Sequence, residues 1–197
     1  MDPAGDAPGR VGDNQMPVDV FAQALSFTLQ REGGYVNDAD DPGGETRYGI
    51  SKRAYPHLNI RDLTLETAAR IYRHDYWDLP GFNRVALVAP QVAIRLFDLG
   101  VNCGPTTAAK MLQRAINTVC DITVSPRRLN PWREKIARRL GGQPLLVDGK
   151  IGPVTLEVLT FCPYPGAVLA ALKGEAYNHY ARLEPAFRAG WLERLEA

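Results

Sequence analysis

Two adjacent glycines, Gly33 and Gly34, end the first helix that the sequence predicts. Residues at three- and four-residue spacing share one face of that helix: Phe21, Leu25, Thr28, Leu29 and Glu32. The chain then runs through Asn-Asp-Ala-Asp-Asp-Pro-Gly-Gly at residues 37–44, which cannot continue a helix. A carboxylate at a helix end is therefore followed at once by an acidic, irregular loop.

The spacing of three side chains in this region suggests chemistry. Asp41 follows Glu32 by nine residues, and Thr46 follows Asp41 by five. A carboxyl group on an apolar helix face, near the negative end of the helix dipole, is expected to have a raised pKa. Cleavage of a glycosidic bond uses two carboxyl groups in such unlike settings. The alternative for Glu32 is a solvated side chain at a helix end.

The same acidic loop has a rival interpretation as a calcium site. An EF-hand template that starts at Asp38 places Asp40 at position 3 and Gly43 at position 6. It then fails, because Pro42 falls at position 5 and Gly49 at position 12. Asp38 and Asp40 are better explained as turn residues that accept backbone N–H bonds.

The cysteines and histidines predict neither a metal site nor a disulfide framework. Cys103, Cys120 and Cys162 are odd in number and lack a recognisable spacing, so we interpret them as reduced, buried side chains. A pair between Cys120 and Cys162 stays open. The three histidines lack ligand spacing to any cysteine, and we expect no metal and no cofactor.

The chain of 197 residues is long enough for one core, with a net charge of +1 and no apolar run of membrane-spanning length. Residues 1–16 are acidic and rich in glycine and proline, and we expect a disordered leader without a signal peptide. Helices are predicted over about 17–32, 64–77, from 90, from 105, and over 131–140, 153–161 and 167–188. Short strands are predicted near residues 35–36 and 48–50. The predicted fold class is mainly α (α+β) with a small β element.

The segment Glu-Gly-Gly-Tyr-Val-Asn-Asp, followed by Asp-Pro-Gly-Gly-Glu-Thr and Tyr-Gly-Ile-Ser, carries a family resemblance over residues 32–51. It resembles the N-terminal signature of the glycoside hydrolase family 108 N-acetylmuramidases. Later stretches are also similar to that family, at residues 76–77, 97–102, 112–117, 147–152 and 190–194. The second half is similar to the family's peptidoglycan-binding region.

The resemblance implies a lysozyme-like fold of two helical lobes and cleavage of the β-1,4 bond between N-acetylmuramic acid and N-acetylglucosamine. It divides residues 17–197 into a catalytic part, 17–103, and a C-terminal helical lobe, 104–197. It names Glu32 as the catalytic acid. Asp41 and Thr46 resemble the corresponding residues of phage-type lysozymes, whose Asp and Thr stand one residue further apart. Glu45 and Thr46 have an alternative interpretation as turn-closing hydrogen-bonders.

Three further residues are candidates for sugar contact: Tyr35, Tyr48 and Asn102. Asn102 and Asp98 have an alternative interpretation as helix-end hydrogen-bonders. The Asp-Gly-Lys turn that begins at Asp148 resembles a loop of peptidoglycan-binding modules. We favour a simple tight turn there, in which Asp148 holds backbone N–H groups and Gly149 adopts a positive φ.

Six cations crowd one short stretch: Arg127, Arg128, Arg133, Lys135, Arg138 and Arg139. A solvated helix face is the default interpretation, and attraction to an anionic cell-envelope surface is a second. No aromatic interleaving accompanies the charge, so we expect no nucleic-acid partner.

We therefore expect a monomeric peptidoglycan hydrolase, used as a phage endolysin, without stable membrane insertion. We expect it to be made in the cytoplasm and to reach the cell wall through a holin lesion or secretion machinery. The alternatives are a lytic transglycosylase and a non-catalytic peptidoglycan-binding protein. The presence of Asp41 argues against the first, and an intact Glu32 argues against the second.

Overall fold

The computed structural model describes residues 19–29, 35–37, 44–122 and 130–183, together with residues 190, 192, 193 and 195. The helices are α1 (Val20–Leu29), α2 (Leu65–Ile71), α3 (Phe82–Ala86), α4 (Pro90–Cys103), α5 (Pro105–Val119), α6 (Pro131–Arg139), α7 (Pro153–Phe161) and α8 (Pro165–Tyr180). A π-helix, Tyr72–Asp78, continues α2. Strands β1 (Thr46–Arg47) and β2 (Ile50–Ser51) form an antiparallel hairpin. The predicted mainly α fold with a small β element is confirmed.

Proline opens five of these helices, at Pro90, Pro105, Pro131, Pro153 and Pro165. A proline at the first helical position has its φ already set and lacks an N–H that would have no partner there. The helix starts predicted at residues 90 and 105 are therefore confirmed. The last helix begins two residues earlier than predicted, because Pro165 is its first residue instead of preceding it.

Helix α4 lies at the centre of the core, where it packs against α1, α3, α5 and α8. Helix α5 buries one apolar stripe at three- and four-residue spacing, formed by Ala108, Met111, Leu112, Ala115 and Ile116. The buried side chains of both halves join one hydrophobic core. The division into parts 17–103 and 104–197 stays a prediction, as does the leader 1–16, which lies outside the described residues.

The β element differs in detail from the prediction. Val36 pairs with Thr46 in an isolated antiparallel bridge, which agrees with the extended segment predicted near residues 35–36. Tyr48 and Gly49, predicted as strand, instead form the turn between β1 and β2, with φ of 52° and 73°. Two successive positive φ values match the twist of a tight hairpin. A pattern of alternating apolar residues does not separate such a turn from a short strand.

The predicted helix over 64–77 changes character within its length. Thr64 caps α2 by accepting a hydrogen bond from the Thr67 N–H, and α2 ends at Ile71. Leu65, the first residue of α2, is 52% exposed. In the π-helix that follows, the Leu79 N–H donates to the carbonyl of His74, five residues back. The wider turn brings Trp77 into the core.

Close packing between α3 and α4 accounts for a glycine within a helix. Gly100 lies inside α4, where a Cβ would come within 2.8 Å of the Phe82 ring. Phe82 belongs to α3, a five-residue helix that the sequence pattern did not predict.

The Asp-Gly-Lys turn docks on α5 through Gln113. The Gln113 side chain donates to Asp148 Oδ1 at 2.7 Å, and its Oε1 accepts from the Gly149 N–H at 2.8 Å. Asp148 also accepts from the Lys150 N–H at 2.9 Å, and Gly149 has a φ of 79°. The hydrogen bond and positive φ predicted for this tight turn are confirmed.

Several cations of helix α6 contact other side chains of the protein and are not simply solvated. Arg133 stacks on Trp132, Lys135 Nζ lies 3.8 Å from the centre of the Phe161 ring, and Arg139 pairs with Glu157. These contacts within the protein reduce the charge available to an outside surface. Arg127 and Arg128 lie outside the described residues. None of the helices that the structure describes is both long and apolar enough to cross a bilayer.

Candidate active site

An aromatic cluster holds α1, the helix that precedes Glu32 in sequence. The ring of Phe97, on α4, lies 5.8 Å from the ring of Phe21, 6.0 Å from that of Tyr72 and 5.8 Å from that of Trp77. Tilted and edge-on aromatic pairs of this kind stabilise a fold by about 0.5–1.5 kcal/mol each beyond their burial. The helix that precedes Glu32 is therefore held against both the π-helix and α4.

The bridge between Val36 and Thr46 closes the loop that contains Asp41. Each residue's N–H donates to the other's carbonyl at 2.8 Å. Glu32 and Asp41 themselves lie outside the described residues. In sequence, Glu32 stands four residues before the bridge, and Asp41 stands midway between its two partners.

Thr46 is half-buried, and its hydroxyl donates to the carbonyl of Gly44 at 3.3 Å. That distance is long for an O–H···O bond, so the contact contributes little. The two lone pairs of the hydroxyl oxygen stay able to accept. The local contact agrees with the turn-closing interpretation, and the catalytic role stays a prediction.

Tyr35 and Glu45 join the two ends of the acidic loop. The Tyr35 hydroxyl donates to Glu45 Oε1 at 2.8 Å, and the Arg61 guanidinium lies 6.0 Å from the centre of the Tyr35 ring. The hydrogen bond to Glu45 raises the pKa of Tyr35. The phenol therefore stays protonated at neutral pH, and its exposed ring offers a flat surface beside the loop.

Tyr48 holds the turn of the hairpin. Its φ of 52° is the sole positive value found at a non-glycine position in the described part of the chain. Its carbonyl accepts a 2.8 Å hydrogen bond from the Tyr72 hydroxyl, and the Arg47 guanidinium lies 5.3 Å from its ring centre. Backbone strain of this kind clusters at functional sites, where surrounding contacts maintain it.

Asn102 lies in the last turn of α4 and is half-buried. Its Nδ2 is shielded from solvent and has no hydrogen-bond partner among the described atoms. A buried donor in this state costs free energy unless a water or ligand satisfies it. Among the three residues predicted to contact sugar, Asn102 thus has an Nδ2 group able to donate a hydrogen bond to a ligand.

Asp98 is not the helix-end hydrogen-bonder that the sequence suggested. It lies inside α4, 1% exposed, and its Oδ2 is 3.5 Å from Arg95 Nη1. The Arg95 guanidinium also stacks 5.0 Å from the centre of the Phe27 ring, near the end of α1. Sequence analysis missed Arg95. Its one signal was a charge of opposite sign three residues before Asp98 within an apolar helix.

The part of the chain that the structure describes contains no cluster of three or more His, Cys, Asp or Glu side chains arranged to hold a metal ion. Asp38, Asp40 and Asp41, three acids of the rival calcium interpretation, lie outside that part. The side chains described around the candidate site can form hydrogen bonds, present aromatic faces to a ligand and supply a carboxylate.

Comparison with known proteins adds the deciding observation. Residues 25–104 match the family model described as Glycosyl hydrolase 108. Over these residues the chain is similar to the glycosyl hydrolase 108 proteins. The match spans Glu32, Asp41, Thr46 and Asn102. The match supports a glycoside hydrolase of the muramidase type, with peptidoglycan as its substrate, as the sequence resemblance predicted.

A solved structure supports the fold over most of the length. The structure titled "Structure of Brucella abortus SagA" is 24% identical, covers 89% of each chain and has a TM-score of 0.66. The lysozyme-like, mainly α fold is confirmed by this likeness. No curated protein matches the chain. The family match ends at residue 104, so the peptidoglycan-binding interpretation of residues 104–197 stays a prediction.

Proposed function

We propose that this protein hydrolyses the β-1,4 bond between N-acetylmuramic acid and N-acetylglucosamine, with Glu32 as general acid. The family match across residues 25–104 carries this proposal. Glu32 follows α1, whose buried face is packed on the aromatic cluster around Phe97. A catalytic group must be placed to within a fraction of an ångström, and a firmly held helix close by in sequence favours such placement.

In the proposed reaction, the Glu32 carboxyl group donates its proton to the glycosidic oxygen as the bond breaks. Asp41 stabilises the positive charge that develops on the sugar and orients or activates the attacking water. Thr46 supplies a hydroxyl beside that water. We favour inversion, because a loop bounded by glycine and proline leaves room for a water molecule. Retention through a covalent intermediate is the alternative.

Three described residues are proposed to hold the glycan. The Tyr35 ring lies at the surface and is steadied through its hydroxyl by Glu45. Asn102 has a buried Nδ2 able to donate to a sugar oxygen or acetamido carbonyl. Tyr48 is proposed to contact sugar from the turn of the hairpin.

Product analysis tests the bond and the reaction together. Purified peptidoglycan is digested, reduced with borohydride and examined by mass spectrometry. Hydrolysis at the proposed bond gives reducible N-acetylmuramic acid ends. Reducible N-acetylglucosamine ends would contradict the bond assignment, and 1,6-anhydro ends would mean a lytic transglycosylase, with the role of Asp41 lost.

The Glu32→Gln variant tests the catalytic acid. The amide has the same shape but cannot donate the proton, so we expect turnover to fall by about 10²–10⁴-fold. Its thermal unfolding should stay near that of the wild type. Glu66→Gln, the same change on the exposed first turn of α2, is the matched control and should retain full activity. Activity of Glu32→Gln within twofold of the wild type would reject the assignment. If the variant bound sacculi more weakly but kept its turnover, Glu32 would be a substrate-binding residue and not the catalytic acid.

We further propose a role as a phage endolysin that is made in the cytoplasm and acts in the cell wall after release through a holin lesion or secretion machinery. Attraction of the α6 cations to an anionic envelope surface is part of this proposal. Expression with and without a holin tests the route. Lysis should require the holin together with an intact Glu32.

A further inference from the structure

Two buried thiols meet in the C-terminal half of the protein. Cys120 directly follows α5 and Cys162 directly follows α7, and a hydrogen bond joins their side chains. They are 3% and 6% exposed. Both are free thiols in this structure. Contact between two cysteines 42 positions apart in sequence is a property that their spacing did not reveal.

The packing around Cys120 independently places it against α7. Cys120 lines a cavity of about 260 Å³ together with Ile136 of α6 and Val158 of α7. The Cys162 N–H donates to the carbonyl of Val158 at 3.1 Å, so Cys162 lies one helical turn beyond that cavity wall. Of the two thiols, Cys120 is the one that lines the cavity.

The surroundings favour the thiolate form of one member of the pair. The hydrogen bond from Cys120 lowers the pKa of Cys162 to about 6, against the effect of burial. The Tyr164 backbone N–H and the positive charge of Arg133 act in the same direction. Arg133 is held close by, since it donates to the carbonyl of Val119 at 3.3 Å. Thiolate, not thiol, attacks a disulfide, so Cys162 is the nucleophile of the pair.

We propose that Cys120 and Cys162 form an intramolecular disulfide when the protein meets a disulfide-bearing oxidant, and that this bond ties the end of α5 to the end of α7. The Cys162 thiolate attacks one sulfur of the oxidant, whose S–S bond breaks and releases a first thiolate. Cys120 then loses its proton and attacks Cys162 Sγ, releasing the second. The two protein thiols lose two electrons and two protons, and one oxidant disulfide becomes two thiols.

The bond would close a loop that contains α6 and the Asp-Gly-Lys turn. A crosslink of this span stabilises a protein chiefly by limiting its unfolded chain. The cytoplasm keeps thiols reduced, whereas the periplasm and cell surface permit disulfides. The crosslink would therefore form where a wall-degrading enzyme acts and not where it is made.

Oxidised glutathione, applied to the full-length protein, tests the proposal. The protein is then denatured, its remaining thiols are labelled with a maleimide, and its peptides are mapped by mass spectrometry. The wild type and Cys103→Ser should both yield a Cys120–Cys162 crosslinked peptide. Oxidation should raise their Tm by about 4–12 °C.

Cys120→Ala and Cys162→Ala are the paired controls and should show no intramolecular crosslink and no such Tm increase. Cys103→Ser leaves the pair intact, so the test does not depend on whether the other two variants fold well. The proposal fails if the oxidised wild type keeps three labelled thiols. It also fails if the crosslink involves Cys103 or joins two molecules. Peptidoglycan hydrolysis is measured separately, so this result does not depend on the proposed bond specificity.

Discussion

The Tyr72 hydroxyl, on the π-helix, donates a 2.8 Å hydrogen bond to the carbonyl oxygen of Tyr48 in the hairpin turn. This bond joins a buried aromatic side chain of the core to the one described non-glycine residue that has a positive φ. The core thus holds the strained turn in place through this hydrogen bond. The strands that it connects include Thr46, one partner of the bridge that closes the acidic loop.

Removal of that bond should loosen the hairpin. We expect Tyr72→Phe to lower the free energy of unfolding by about 0.5–1.5 kcal/mol, since the ring stays packed and the hydrogen bond is lost. Hydrolysis of peptidoglycan should fall severalfold because the hairpin is less well fixed. Denaturant unfolding and initial rates on sacculi measure the two effects. Tyr177→Phe, on the exposed side of α8, should change neither.

Removal of the Thr46 hydroxyl distinguishes a catalytic role of this residue from a role in closing the turn. Thr46→Val keeps the β-branched shape and the backbone bridge to Val36, so we expect stability to change by less than about 1 kcal/mol. A catalytic role predicts a loss of turnover smaller than that of Glu32→Gln, with recovery in Thr46→Ser. Lower stability at unchanged turnover would instead assign Thr46 to the turn alone. Steady-state rates and thermal unfolding decide between the two.

Asn102 should affect the enzyme more than the fold. Its buried Nδ2 has no partner among the described atoms, so Asn102→Ala removes a donor that contributes little to stability. Loss of a contact to substrate should raise KM or lower kcat/KM by about tenfold, which corresponds to about 1.4 kcal/mol. Kinetics on soluble muropeptide chains measure this change. An unchanged kcat/KM would remove Asn102 from the site.

Gly149 and Gly142 form a matched pair in the C-terminal half. Both have a positive φ, 79° and 78°, but a Cβ at Gly149 would lie 2.8 Å from Thr106 Cγ2, whereas Gly142 has open space. Gly142→Ala should cost about 1–2 kcal/mol of stability from backbone strain alone. Gly149→Ala should cost clearly more, because the docked turn must also shift. Equal losses, measured by denaturant unfolding, would mean that the contact with Thr106 relaxes freely.

Asp75 should contribute to stability at low pH. Burial raises its pKa, but hydrogen bonds from Tyr55 and His74 and the charge of His74 outweigh that effect, and the pKa lies below its ordinary value. The Tyr55 hydroxyl donates to Asp75 Oδ2 at 2.6 Å. A lowered folded-state pKa stabilises the fold above the unfolded value, about 3.9, and this contribution disappears as pH falls through the folded value.

Asp75→Asn should therefore weaken the dependence of stability on pH below about 4, while the wild type loses stability more steeply there. Unfolding measured from pH 6 to pH 2.5 tests this difference. Parallel curves for the two proteins would show that Asp75 titrates alike in the folded and unfolded chains.

The features that could be predicted from sequence are those that depend on local chemistry. Pro90 and Pro105 revealed two helix starts, and the glycine and aspartate of the turn at residues 148–149 revealed its conformation. Residues that act through distant partners could not be predicted. The place of Arg95 depends on Phe27 and Asp98. The pair of Cys120 and Cys162, which the sequence left open, depends on how α5 and α7 meet.

Because residues 72–78 form a π-helix, the number of residues in this segment should matter as much as their identity. Its wide turn lets Tyr72 and Trp77, five positions apart, both reach the ring of Phe97. Deletion of one residue there would let the segment close into an α-helix and rotate everything beyond it by about 100° relative to Tyr72. One of the two aromatic side chains would then leave the core. Related chains should therefore tolerate many substitutions in this segment but few insertions or deletions.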